Sequence, residues 1–279
     1  MIPKSARARR VGLVAILAIA ALARAAFAHG DLHEQIVSVT AQIQKSPDNA
    51  DLYLKRADLN RLHEEWPAAA ADYDRAEKLA PSAPAIHLGR GKMLLATGRL
   101  DDAKGELDKF IAAKPGHLEA LVTRARIEAL RKKPLAAAEY FARAIALAPR
   151  PEPDFYLERA QALAAAGDAH IPEALRCLDD GTAKLGNLPT LGLYAIDLEL
   201  RRKDFDAALA RLDKLSAASP RKETWLERRG DILTAAVRPE EARQTYLGAL
   251  EAMRALPQQR RFTKTTMELE QRLKQKTAR

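Results

Sequence analysis

Three sets of side chains in this chain are placed to do chemistry. The first is His29. A cut after Ala28 would make it the first residue, where a free α-amine and its own imidazole could together chelate Cu(II), an ion imidazole suits. His33 follows four residues on and could approach if a helix began at once. The second set is an arginine that recurs as Arg56, Arg90, Arg124, Arg159 and Arg229. Such a ladder could hold an acidic peptide. The expected reading is structural: aliphatic stems that pack while the heads pair with carboxylates of adjacent helices. The third is Cys177, the single cysteine, which has no second thiol for an intramolecular disulfide and suits a small buried apolar position.

Beyond these the chemistry is sparse. The six histidines, His29, His33, His63, His87, His117 and His170, are dispersed. There is no HExxH and no glycine-rich phosphate loop. Carboxylates are plentiful, but at positions expected to be solvated. The reading is therefore no catalytic residue, no cofactor and no enzyme, with His29 and His33 the only metal candidates.

The elements that must position these residues are marked by proline. Pro47, Pro81, Pro115 and Pro149 lie thirty-four residues apart. Proline inside a helix costs about 3 kcal/mol relative to alanine, so these four fall between helices and the stretches between them repeat one unit. Each unit holds two helical stretches joined by a tight turn. The first carries a small residue: Ala57, Gly91, Ala125, Ala160 and Gly230. The second carries Ala69, Ala103, Ala137, Ala174, Ala208 or Ala242. A large apolar group follows four residues on: Tyr73, Leu107, Phe141, Leu178, Leu212 or Tyr246. Three further on comes Ala76, Phe110, Ala144, Gly181, Leu215 or Ala249. Steps of four and three keep these on one helical face, which a stacked neighbour must cover. Gly98 and Gly167 suit the turns within pairs, and Pro67, Pro134, Pro172 and Pro239 suit the first turn of the second helix.

This pattern resembles the tetratricopeptide repeat family, most closely over 51–81, 85–115 and 118–149. A longer copy follows at 150–189, then weaker ones at 189–220 and 222–256. In the fifth, Ile196 stands where the family has a small residue, which predicts altered helix spacing there. The resemblance implies an all-α, right-handed α-solenoid of stacked antiparallel helix pairs, about six units with helical caps. The expected organisation is a leader at 1–28, a capping helix at 29–49, the array at 50–257 and a basic capping helix at 258–279. The last has Phe262, Met267, Leu269 and Leu273 as its apolar residues.

In that family the first helix of each unit lines a concave wall that binds protein or peptide. Carried over, the wall holds Leu54, Asp58, Arg61, Leu88, Lys92, Val122, Arg126, Leu157, Gln161, Leu193, Asp197, Arg201, Glu227 and Asp231. Some relatives clamp a carboxylate with lysine here. This chain has Leu54, Leu88, Val122, Leu157 and Leu193 in that place, so an amphipathic helix or an extended segment with apolar anchors is the expected ligand.

Residues 1–28 have the form of an export signal: Lys4, Arg7, Arg9 and Arg10, then an apolar run over 11–23, then Ala26-Phe27-Ala28. The expectation is a periplasmic or secreted protein, with an uncleaved N-terminal anchor as the alternative. The net charge of +9 falls to +4 without residues 1–28, and residues 254–279 carry +6. The body between is close to neutral. The basic tail is expected to be a solvated cap or a peripheral contact with an anionic membrane. It lacks the interleaved aromatics of a nucleic-acid surface.

Overall fold

The computed structural model describes residues 31–217 and 219–278. They form helices joined by short turns, with no strand among the described residues. Helix α1 spans 31–45. There follow α2 (Ala50–Leu62), α3 (Trp66–Leu79), α4 (Pro84–Ala96), α5 (Leu100–Ala113), α6 (Leu118–Leu130), α7 (Pro134–Leu147) and α8 (Pro153–Ala166). After a 3-10 turn at Asp168–His170 come α9 (Ile171–Leu185), α10 (Pro189–Arg201), α11 (Phe205–Ser216), α12 (Glu223–Ala235), α13 (Pro239–Arg254), α14 (Gln258–Arg261) and α15 (Lys264–Thr277). Pro47, Pro81, Pro115 and Pro149 all lie between helices, and Pro67, Pro134, Pro172 and Pro239 all open one.

The chain divides into two compact units, the first ending at Ile127 and the second beginning at Glu128. In the first, α2 packs on α3, α4 on α5, and α3 on α4. Helix α1 closes its start, with Val39 and Ile43 against Leu59 and with Leu32, Ile36, Leu52 and Tyr53 around them. In the second, α8 packs on α7 and α9, α10 on α11, and α12 on α13, with α15 laid against α13. Each unit is thus a stack of antiparallel helix pairs, the architecture of an α-solenoid.

The repeated register explains the packing. All six alanines of the second helices are buried, as are Tyr73, Leu107, Phe141, Leu178, Leu212 and Tyr246 beside them. Small residues let backbones approach, and the large ones fill the space alongside. The fifth pair solves this differently. Ile196 is fully buried, and close approach moves one turn back to Gly192, where a Cβ would come within 2.7 Å of Leu215. Cys177 is buried as well, its Sγ 3.6 Å from the Tyr156 carbonyl oxygen, and burial pushes its thiol up.

The turns within pairs share one geometry. Glu64, Gly98, Lys132, Lys203 and Val237 all have φ between +57° and +75°. In each, the next residue's N–H donates to a carbonyl five residues back, as from Glu65 to Asn60 and from Arg238 to Leu233, both at 2.8–2.9 Å. That is the Schellman ending, which glycine suits best. Only Gly98 obeys the preference. The Gly167 turn departs from the others, with φ at 128°.

The C-terminal cap breaks where a single helix was expected. Thr263 starts α15 as its N-cap, its side chain accepting from the Thr266 N–H at 3.3 Å. The new start resets the helical phase. Thr266, Leu269 and Leu273 face inward, while Phe262 and Met267 are exposed.

Candidate binding surface

The arginine ladder is structural. Arg56 grips Asp72 with two N–H groups at 2.7 and 2.8 Å, and Asn60 donates to the same carboxylate at 3.2 Å. Arg90 donates to Asp74 and Glu77, both at 2.9 Å. Arg124 reaches Asp108 at 2.7 Å, Arg159 reaches Glu173 at 2.7 Å, and Arg229 reaches Asp213 at 2.5 Å. Every rung joins a first helix to a carboxylate on a second helix, so the heads are spoken for. The fifth pair has Ala195 at this register. There Arg211 takes over, bonding Glu199 at 2.9 Å and Asp179 at 2.6 Å. Burial pushes the Glu199 carboxyl up despite that arginine.

A polar knot that the sequence reading passed over lies between α4 and α5. His87 Nδ1 meets Glu106 at 2.8 Å, and Lys109 meets the same carboxylate at 2.9 Å. Burial pushes the Glu106 carboxyl up, but His87, Lys109 and Arg90 outweigh it and hold it below the ordinary range.

The proposed wall residues all lie on first helices, as the register requires. In the first unit these are Leu54, Asp58 and Arg61 on α2, Leu88 and Lys92 on α4, and Val122 and Arg126 on α6. Leu54 and Leu88 are half-buried and present part of their surface, whereas Val122 is only 7% exposed and belongs to the core. Asp58 accepts from the Tyr73 hydroxyl at 2.8 Å and faces Arg61 at 3.4 Å. Burial is the chief cause that pushes the Tyr73 hydroxyl up. Lys92 pairs with Glu119, and Arg126 is exposed.

In the second unit the wall comprises Leu157 and Gln161 on α8, Leu193, Asp197 and Arg201 on α10, and Glu227 and Asp231 on α12. Leu193 and Gln161 are exposed. The charged members are engaged by the chain itself. Asp197 pairs with Arg228, and Arg201 with Asp168 at 2.5 Å. Glu227 receives Arg272 at 3.0 and 3.1 Å and Lys276 at 3.0 Å, while Asp231 receives Lys276 at 2.6 Å and the Tyr246 hydroxyl at 2.8 Å. Helix α15 therefore engages both carboxylates at this end of the wall. The signal for the tyrosine contacts was readable: Asp58 and Tyr73, like Asp231 and Tyr246, stand fifteen residues apart. Asp197 has Leu212 at the corresponding place and turns to Arg228 instead.

Two family models match this chain: a tetratricopeptide repeat model over 54–117 and 88–152, and a tetratricopeptide repeat-like domain over 157–270. The chain belongs to the tetratricopeptide repeat family. Comparison with curated proteins gives no match. Among solved structures, the C-terminal part of a repeat-containing protein from Cytophaga hutchinsonii aligns with a TM-score of 0.65 at 13% identity, over 86% of this chain and 94% of that one. A tetratricopeptide repeat protein from Parabacteroides merdae gives 0.52 at 18% identity, over 88% and 93%. MamA from Desulfovibrio magneticus gives 0.50 at 14%, over 55% and 85%. These likenesses speak to the fold. Tetratricopeptide repeats are interaction scaffolds, and protein binding is the activity this family membership supports.

His29 and the export signal lie outside the described residues. Among the described residues no group of three or more His, Cys, Asp or Glu is arranged to hold a metal ion, and no helix is long and apolar enough to cross a membrane.

Proposed function

We propose that this chain is an exported scaffold that binds a protein partner along the first helices of its N-terminal unit, holding components of an envelope complex together. One observation carries the placement. In the second unit the C-terminal helix lies against the wall, its Arg272 and Lys276 paired with Glu227 and Asp231. In the first unit Asp58 and Lys92 pair within the first helices, with Arg61 and Glu119, and Leu54 and Leu88 on the same helices stand partly open. Apolar anchors flanked by charge suit an amphipathic helix or an extended segment of another protein.

The test is capture from envelope extract with the wild-type chain and a Leu54→Asp/Leu88→Asp variant as baits, after melting curves confirm that the variant folds. The variant should lose the partner, and Leu193→Asp in the second unit should keep it. A partner retained by the first variant and lost by the second would move the site to α10. Export is tested separately, by N-terminal sequencing of protein from its native host: His29 is the expected first residue, and an intact Met1 would favour the anchored alternative.

A further inference from the structure

We infer that the elbow joining α13 to α15 is a contact site for anionic phospholipid. The reading is independent of the partner groove, and it separates the elbow from the rest of the basic tail. The tail's C-terminal cations are already used: Arg272 and Lys276 on Glu227, and Lys274 on Glu270 at 2.8 Å. The elbow's are engaged far less, Lys264 meeting an acid only at the outer limit of an ion pair. Residues 252–267 contain no Asp or Glu and carry Arg254, Arg260, Arg261 and Lys264. Arg254 and Arg260 are exposed, and the Lys264 side chain is 91% exposed, with Glu268 at 3.8 Å. The acids nearest in sequence are Glu251, Glu268 and Glu270, and the last is held low first by Lys274, then by Arg261 and Arg254.

Two large apolar side chains stand among these cations. Phe262 is 66% exposed and Met267 is 55% exposed. The Arg261 guanidinium lies 5.9 Å from the Phe262 ring centre. Lys264 and Met267 are three residues apart on α15 and share its outer face, opposite Leu269 and Leu273. The elbow is held by its flanks: Met253 is buried at the end of α13, and Leu269 and Leu273 are buried below. A fixed projection that combines an aromatic ring and a thioether with surrounding positive charge matches an anionic bilayer, where cations meet headgroups and the apolar tips enter the boundary. A single aromatic residue makes no stacking track for nucleic acid.

The test uses the full-length chain with vesicles of phosphatidylglycerol and phosphatidylcholine, and with vesicles of phosphatidylcholine alone. Each well-placed cation contributes about fivefold in partitioning, so Arg260→Glu/Lys264→Glu should lower binding to the anionic vesicles at least tenfold. Phe262→Ser/Met267→Ser should lower it severalfold. High salt should weaken wild-type binding. Apolar residues 11–23 can themselves enter a bilayer, so the site-specific readout is peroxide oxidation of Met267, which anionic vesicles should slow and neutral ones should not. All four substitutions are at surface positions, and circular dichroism should confirm that helicity is kept. Equal oxidation of Met267 with and without anionic vesicles would overturn the proposal. So would equal protection of Met267 in the charge-reversal variant and the wild-type chain. If soluble polyglutamate binds the wild-type chain, is lost in that variant, and anionic vesicles leave Met267 unprotected, the elbow serves an acidic protein and the lipid reading fails.

Discussion

In the first helix pair Asp58 accepts from Tyr73, and in the last Asp231 accepts from Tyr246, each at 2.8 Å. The rings then go different ways. Tyr73 presses toward Gly89 of the following pair, where a Cβ would stand 2.6 Å from the ring. Tyr246 presses on Gly230 of its own pair, where a Cβ would stand 2.3 Å away. Among the described residues no further pair follows it. Helix α15 fills that place, with the Lys276 ammonium 5.5 Å from the Tyr246 ring centre and 2.6 Å from Asp231. Asp58 and Asp231 keep nearly the same exposure, 45% and 44% of the side chain, but Asp58 has Arg61 of its own helix for a partner. The same hydrogen bond thus sits beside an arginine of its own helix at one place and beside a lysine of the C-terminal helix at the other. In a stack held by nearest neighbours, what the next element offers decides whether a wall residue can bind anything.

The largest test of this contrast removes the anchor of the cap. Leu273 is fully buried, and Leu273→Ala should cost about 2–5 kcal/mol. Hydrogen exchange should rise in α12, α13 and α15 and stay unchanged in α2 to α5. Loss of protection in the first unit as well would mean that the units do not melt as neighbours in a chain. Next in size is Glu227→Gln, which weakens the charge-assisted bonds to Arg272 and Lys276 by about 1.5–3 kcal/mol. Burial pushes the Glu227 carboxyl up, but Arg272 and Lys276 prevail and hold it below the ordinary range. Its contribution is therefore present above the ordinary carboxylate range and is lost as pH falls through the lowered value. Melting temperature against pH should show a shallower acid loss in the Gln variant. An identical acid profile would show that the cap does not depend on this carboxylate.

Much of this was legible in the sequence, and the rest was not for physical reasons. Prolines at a fixed interval, and alanines in register with Tyr73, Leu107 and Phe141, mark helix pairs because burial leaves few alternatives at those places. Availability is another matter. Whether Asp197 is free depends on Arg228, thirty-one residues away on another helix, and pattern does not reveal that pairing. Val122 shares a register with Leu54 and Leu88, yet only it is closed off. Phe262, Met267, Leu269 and Leu273 are alike as apolar residues of the expected helix, but the cap at Thr263 leaves Phe262 outside α15, and Met267 lies on the side of that helix away from Leu269 and Leu273. Ile196 shows the converse. A bulky residue at a small position was accommodated by Gly192 one turn earlier, a compensation visible only once the chain is folded.

A smaller test compares the tyrosines directly. Tyr73→Phe leaves Asp58 with Arg61 alone and should cost about 1–1.5 kcal/mol, the upper part of the range for an ordinary hydrogen bond, since the acceptor is half-exposed. Tyr246→Phe should cost less, because Lys276 still satisfies Asp231, and Thr234, which also meets that hydroxyl at 3.0 Å, keeps its bond to the Gly230 carbonyl. Chemical denaturation of the two variants measures the difference. Equal losses would imply that Lys276 does not compensate.

The smallest effect should be a gain. Glu64 and Val237 occupy the same turn position in the first and last pairs, with φ at 63° and 57°. An L residue in the left-handed region is disfavoured by about 1–2 kcal/mol, and a β-branched one more so, because its second γ-carbon crowds the backbone. Val237 is 85% exposed and returns little in packing for that strain. Glycine holds the equivalent place at Gly98, with φ at 75° and nothing near its absent Cβ. Val237→Gly should therefore stabilise the last pair by about 1 kcal/mol, less the added freedom of glycine in the unfolded chain. Glu64→Gly should gain only a few tenths, since an unbranched side chain tolerates this conformation better. Thermal melts of both variants would show it. A loss of stability in Val237→Gly would mean that the exposed isopropyl group makes a contact worth more than the strain, and attention would turn to the hollow it borders with Asp231, Thr234 and Tyr246.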